Sequence, residues 1–90
     1  TCFVAGTVVV TVAGVEDCAK DAEVVLKQND REIARATTDI FGEFKIDKLE
    51  KQSGPYELKV SLDSSHSDSM EFSLGDESLY LGIMPFNSGR

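Results

Sequence analysis

Thr37-Thr38-Asp39-Ile40-Phe41-Gly42-Glu43-Phe44-Lys45-Ile46 is the stretch that decides the fold. Two β-branched threonines lead into an Asp-x-x-Gly turn, and the chain leaves it with alternating Phe44 and Ile46. Period-two alternation places side chains on opposite faces of an extended strand. An aspartate opening such a turn accepts hydrogen bonds from amides two residues on. A glycine closing it takes the left-handed conformation of a type I turn with a bulge. The stretch predicts a tight β-hairpin.

The same alternation recurs on both sides. Val4, Gly6, Val8, Val10 and Val12 form one face of a first strand. Ala22, Val24 and Leu26 form the inner face of a second, with Glu23 and Lys27 outward. Ala34, Ala36 and Thr38 line a third, in which Ile33 is out of phase. After Phe44 and Ile46 come Tyr56, Leu58, Val60 and Leu62, then Met70, Phe72 and Leu74, and finally Leu79, Leu81 and Ile83. None extends into an i, i+3, i+4 stripe of helical length. Turn-forming residues fall between them at Asn29-Asp30-Arg31, Gln52-Ser53-Gly54-Pro55, Asp63 to Asp68, and Gly75-Asp76-Glu77-Ser78. Ala13 to Asp21 is the irregular part, expected to be an acidic loop holding a turn of helix. The pattern predicts an all-β fold, a seven-stranded antiparallel Greek-key β-sandwich.

Ninety residues suffice for a single domain spanning 1–90. The chain opens on Thr1-Cys2-Phe3 without an initiating methionine, so it is expected to be a domain excised from a larger protein. A net charge of −7 repels phosphate backbones and anionic lipid, which argues against nucleic acid and membrane as partners. No apolar run approaches the roughly 18 residues that cross a bilayer.

Residues with chemistry are few. Cys2 and Cys18 are the two cysteines, with no C-x-x-C pair for zinc or an iron–sulfur cluster. If the first strand runs to Val12, Cys2 lies at its far end from Cys18, beyond the Cα separation of about 6 Å that a disulfide tolerates. Free thiols are expected, with one Cys2–Cys18 disulfide, as a secreted domain would invite, as the alternative. His66, the only histidine, shares a loop with Asp63 and Asp68, but the loop lacks a calcium loop's glycine and terminal glutamate. Ser64, Ser65, Ser67 and Ser69 flank it as turn formers, since adjacent residues on one turn do not preorganise a catalytic triad. No catalytic, cofactor-binding or metal-binding residue is expected. Ile40 and Phe41 are different: large apolar side chains in mid-turn call for burial, against a partner or over the core edge. Met84, Pro85 and Phe86 form a second apolar patch, making Ile40, Phe41, Met84 and Phe86 the candidate interface.

Gly6-x-Val8, Ala22-x-Val24-x-Leu26, Thr38-Asp39-x-x-Gly42-x-Phe44-x-Ile46-x-x-Leu49 and Gly54-x-Tyr56-x-Leu58-x-Val60 together resemble the carboxypeptidase regulatory-like, transthyretin-like (prealbumin-like) β-sandwich family. That family hosts many roles, so the resemblance implies fold more than function. Within it, Cys18-Ala19-Lys20-Asp21-Ala22, the Asp39–Gly42 turn and Leu81-Gly82-Ile83 are similar to the C-terminal domains of iron–sulfur subunits in molybdopterin oxidoreductases of the pyrogallol–phloroglucinol transhydroxylase kind.

This narrower resemblance implies a non-catalytic accessory domain that packs against other domains of its own chain and against a molybdopterin catalytic subunit. Any iron–sulfur clusters would lie upstream, and the compartment would be cytoplasmic. The alternative is an extracellular sandwich module of a surface protein or peptidase that binds carbohydrate or matrix. Two further relatives of the fold are set aside by their residues. The histidines and C-terminal Tyr-Arg-Gly-Ser of 5-hydroxyisourate hydrolases are missing from a chain with one histidine that ends Asn87-Ser88-Gly89-Arg90. The first-strand lysine that crosslinked pilus modules join to an asparagine like Asn87 is missing from Phe3 to Val12.

Overall fold

Eight strands form two facing sheets in the computed structural model, which describes residues 1–62 and 66–87. They are β1 (Cys2–Val12), β2 (Val15–Cys18), β3 (Glu23–Gln28), β4 (Arg31–Thr37), β5 (Glu43–Leu49), β6 (Tyr56–Ser61), β7 (Ser67–Phe72) and β8 (Leu79–Asn87). Among the described residues no helix is long and apolar enough to cross a membrane. The sandwich is as the alternation predicts, with one strand more.

That extra strand is β2. The expected loop with a turn of helix is instead a hairpin arm, pairing Val15 to Cys18 with Val12 to Val9 of β1. Ala13 and Gly14 connect them, both with positive φ (53° and 81°), as a two-residue type I′ turn requires. Asn29 and Asp30 make the same kind of turn between β3 and β4, with φ of 55° and 65°.

β1 is the spine of the first sheet. Val4, Ala5 and Thr7 pair with β5 and also with β8, while Val9, Val10 and Thr11 pair with β2 and also with β8. Hence β5 and β2 share one edge of β1, and β8 runs along the other. β8 is parallel to β1, the one departure from antiparallel pairing. The second sheet is antiparallel throughout, in the order β4-β3-β6-β7.

The core lies between the sheets. Val4 and Val8 from β1 and Phe44 and Ile46 from β5 meet Val24 and Leu26 from β3 and Leu58 and Val60 from β6. Leu26 and Leu58 are wholly buried. On the outer face of the second sheet, Arg35 bonds Glu23 and Glu32, and Val25 lies between Arg35 and Lys59 in register. Long charged stems of this kind cover an apolar neighbour while their heads stay in water.

β8 departs from the expected phase. Gly82, with φ of 85°, shifts the register between Ala5 and Thr7, a bulge that takes one residue out of alternation. Leu79 and Leu81 pack on the core, Ile83 turns outward at 65% exposure, and Met84 and Phe86 face inward instead.

Both cysteines are free, Cys2 in the core and Cys18 exposed. Cys18 lies opposite Val9. With about 3.3 Å per residue of strand, Cys2 is roughly 20 Å away. Reductant should therefore leave the melting temperature unchanged, whereas a bridge over this separation would contribute about 3 kcal/mol and more than about 10 °C. A calorimetric scan with and without reductant distinguishes the two.

Candidate functional site

The Asp39–Gly42 turn is a corner held by hydrogen bonds around one carboxylate. Asp39 Oδ1 accepts the amides of Phe41 (2.8 Å) and Glu43 (3.0 Å). The Gly42 amide donates to Asp39 O at 2.9 Å, and the Asp39 amide to Glu43 O at 3.0 Å. Gly42 has φ of 76°. The turn chemistry is thus as predicted, but the hairpin is not. β4 pairs with β3 and β5 with β1, so the turn carries the chain from one sheet to the other. Local hydrogen bonding is the same in both cases, and only the flanking strands tell them apart.

Gly42 also closes a gap. On the edge of β1 shared by β5 and β2, Val8 falls between the two partners. Its amide donates to Gly42 O at 2.7 Å and its carbonyl accepts the Ala19 amide at 2.9 Å. Beside it, Thr38 is buried with its hydroxyl donating to Ala19 O (2.6 Å) and accepting the Ala22 amide (2.7 Å). The corner is therefore tied down on every side except at Ile40 and Phe41, which are 65% and 61% exposed. Phe41 does not fold back over the core.

Met84 and Phe86 differ from that pair. Both are partly buried and packed against the core, while Pro85 is exposed beside them. Of the four expected interface residues, Ile40 and Phe41 are thus exposed and Met84 and Phe86 partly buried. Tyr80 and Ile83 are exposed as well, at 61% and 65%, and were not among those expected. The available signal was a last strand with no charged residue from Leu79 to Asn87.

An open groove of about 430 Å³ runs past this corner, with Asp39, Glu43, Lys45 and Tyr80 on its walls. Three of these four side chains are engaged structurally. Asp39 holds the turn, Lys45 lies 3.5 Å from Asp47 and 4.4 Å over the Phe3 ring, and the Tyr80 and Thr7 hydroxyls pair at 2.9 Å. Among the described residues no three His, Cys, Asp or Glu side chains gather as a metal site. Asp63, Ser64 and Ser65, part of the loop weighed as a ligand or catalytic set, lie outside the described residues, while the His66 carbonyl accepts the Leu62 amide at 2.8 Å. The resolved titration shifts belong to an exposed pair. The hydrogen bond with Arg35 lowers Glu32 below the usual carboxylate range, and the same bond, with Glu23 nearby, raises Arg35. That pair belongs to the solvated face of β4.

No protein-family model matches the chain. The fold does have a solved counterpart: 5-hydroxyisourate hydrolase from Klebsiella pneumoniae superposes with a TM-score of 0.71 over 94% of this chain and 90% of that one. At 12% identity this likeness concerns the fold alone, and it makes the chain a transthyretin-like β-sandwich. In sequence, the chain is 41% identical over 69 residues to the pyrogallol hydroxytransferase small subunit of Pelobacter acidigallici. The match takes in 76% of this chain, which spans about a quarter (24%) of that relative's length.

Proposed function

We propose that this chain is a non-catalytic accessory domain of an oxidoreductase, part of an electron-transfer subunit that packs against a molybdopterin catalytic subunit. The 41% identity to one region of a pyrogallol hydroxytransferase small subunit carries this reading. The exposed Ile40 and Phe41, on a turn held by four hydrogen bonds around Asp39, support it as a ready-made contact point. Pre-organised apolar side chains lose little freedom on docking.

Iron–sulfur clusters are held by sets of cysteine thiolates, commonly four. Cys2 and Cys18 do not fit such a site, one buried and the other exposed on a different part of the sheet. Electron transfer would then belong to other parts of a parent chain, and this domain would contribute contact area to them and to the catalytic subunit.

Phe41→Ala tests the proposal. In urea melts the substitution should stay within about ±0.5 kcal/mol, as exposed positions do. Titrated against the catalytic subunit encoded with it, the parent chain should lose about 2 kcal/mol of affinity, the scale of a buried aromatic anchor. Lost stability with unaltered docking would remove Phe41 from the interface, and no association with such a subunit would remove the oxidoreductase reading.

A further inference from the structure

The β1–β8 pair differs chemically from the rest of the sandwich's outer surface. The second sheet presents Glu23, Arg35 and Lys59, the solvated alternation expected of a sandwich. On the first sheet, Ala5 and Thr7 of β1 are paired with Tyr80 and Ile83 of β8 on the outer side, since Val4 and Val8 point inward. Neither β1 nor β8 contains a charged residue on either face, in a chain that is 28% charged. Strand pairs free of charge on both sides, and parallel ones above all, are normally covered on both sides. Here the outer side is left open at Tyr80 and Ile83, 61% and 65% exposed, although Val9 further along β1 is buried. The Thr7–Tyr80 hydroxyl bond of 2.9 Å ties the phenol to the sheet.

We propose that the outer face of the β1–β8 pair docks a different protein, one with an apolar centre and a rim of lysine or arginine. Charge selects that occupant over a second copy. Glu43 lies opposite Thr7 and Glu16 opposite Thr11 in register, while the nearby Lys45 is already engaged by Asp47 and the Phe3 ring. The rim is acidic, and the whole chain carries −7. Two copies would bring acidic rims together, whereas a basic rim complements this one. The inference rests on the accessory-domain reading for there being a protein partner, and adds the face and the partner's chemistry.

The test uses the full-length protein tagged at its native locus, as wild type, Ile83→Glu, Tyr80→Ser and Ile33→Glu. Ile33, 47% exposed on the second sheet, is the control. Co-purifying proteins are quantified at low and high salt, all variants are checked by thermal melts, and the 90-residue chain is sedimented. The expected result is a partner retained by wild type and Ile33→Glu, at least about tenfold less by Ile83→Glu, reduced by Tyr80→Ser, and salt-sensitive. Equal retention by all variants, or no retained protein, overturns the proposal. So does a wild-type dimer that Ile83→Glu makes monomeric, which would assign the face to a second copy. If Ile83→Glu melts early, Tyr80→Ser decides. A partner captured through this face that is not a molybdopterin subunit would refute the oxidoreductase reading and leave the docking face standing.

Discussion

Gly42→Ala should destabilise the chain by about 4 kcal/mol, a large part of the roughly 5–13 kcal/mol expected for a domain of this length. A Cβ built on Gly42 comes 2.3 Å from Val8 O and 3.1 Å from the Ala19 amide nitrogen, and both are backbone. Neither neighbour is a flexible side-chain end. The strand must move, and the Val8–Gly42 and Val8–Ala19 bonds are lost or stretched together. Each buried group left unpaired costs about 1–3 kcal/mol, and the φ of 76° adds about 1 kcal/mol for a residue with a Cβ. Gly14→Ala isolates the contact: Gly14 has a similar φ of 81° with nothing within 4 Å, so only about 1 kcal/mol should be lost. Urea melts of the two variants should differ by about 3 kcal/mol. Equal losses would mean that conformation, not the approach to Val8, makes the glycine necessary.

Thr38→Val should cost about 3 kcal/mol even though the shape is nearly unchanged. It removes the acceptor of the Ala22 amide and the donor to Ala19 O, both in residues buried to 4% or less. Two backbone groups are then left dry and unpaired, at about 1–3 kcal/mol each. Thr38→Ser keeps both bonds and loses one methyl, for about 1 kcal/mol. If valine and serine melt together, the hydroxyl is not what holds the β2–β3 connection to the corner.

Much of this architecture is legible in the residues, and the exceptions have physical causes. Val24 and Leu26, Phe44 and Ile46, and Leu58 and Val60 alternate because one face of each strand is in the core, and all six are buried. β2 gave no such contrast, since Val15 to Cys18 are all exposed. Its usable trace was Ala13-Gly14 between two valines, a glycine-containing two-residue turn. The corner misled because an Asx turn with a closing glycine does not specify which sheet receives the next strand. Ile83 misled because a bulge at Gly82 slips the alternation by one, which sends Met84 and Phe86 inward.

The candidate surface was legible in part for similar reasons. Ile40 and Phe41 announce themselves by being apolar where a turn needs polar residues, and the structure leaves both exposed. Tyr80 was missed because period-two reading assigns every other residue of a strand to solvent without asking whether solvent suits it. The charge-free composition of β1 and β8 becomes informative only once they are known to be neighbours.

The pairing of β1 with β8 also bears on how the chain is made. Within this domain β1 is synthesised well before β8, and among the described residues no strand between them takes that edge. The sheet of β3, β4, β6 and β7 has all its members once Phe72 has emerged, while Val4 and Val8 still line a sheet short of one strand. Such long-range pairing is slow to form and leaves apolar surface exposed in the interval. A ribosome that stalls before Leu79, or a protease that trims back to it, releases a chain with one finished sheet and one open seam. β8 therefore closes the seam: a copy of this domain without Leu79–Asn87 would keep its second sheet complete and leave one edge of β1 bare.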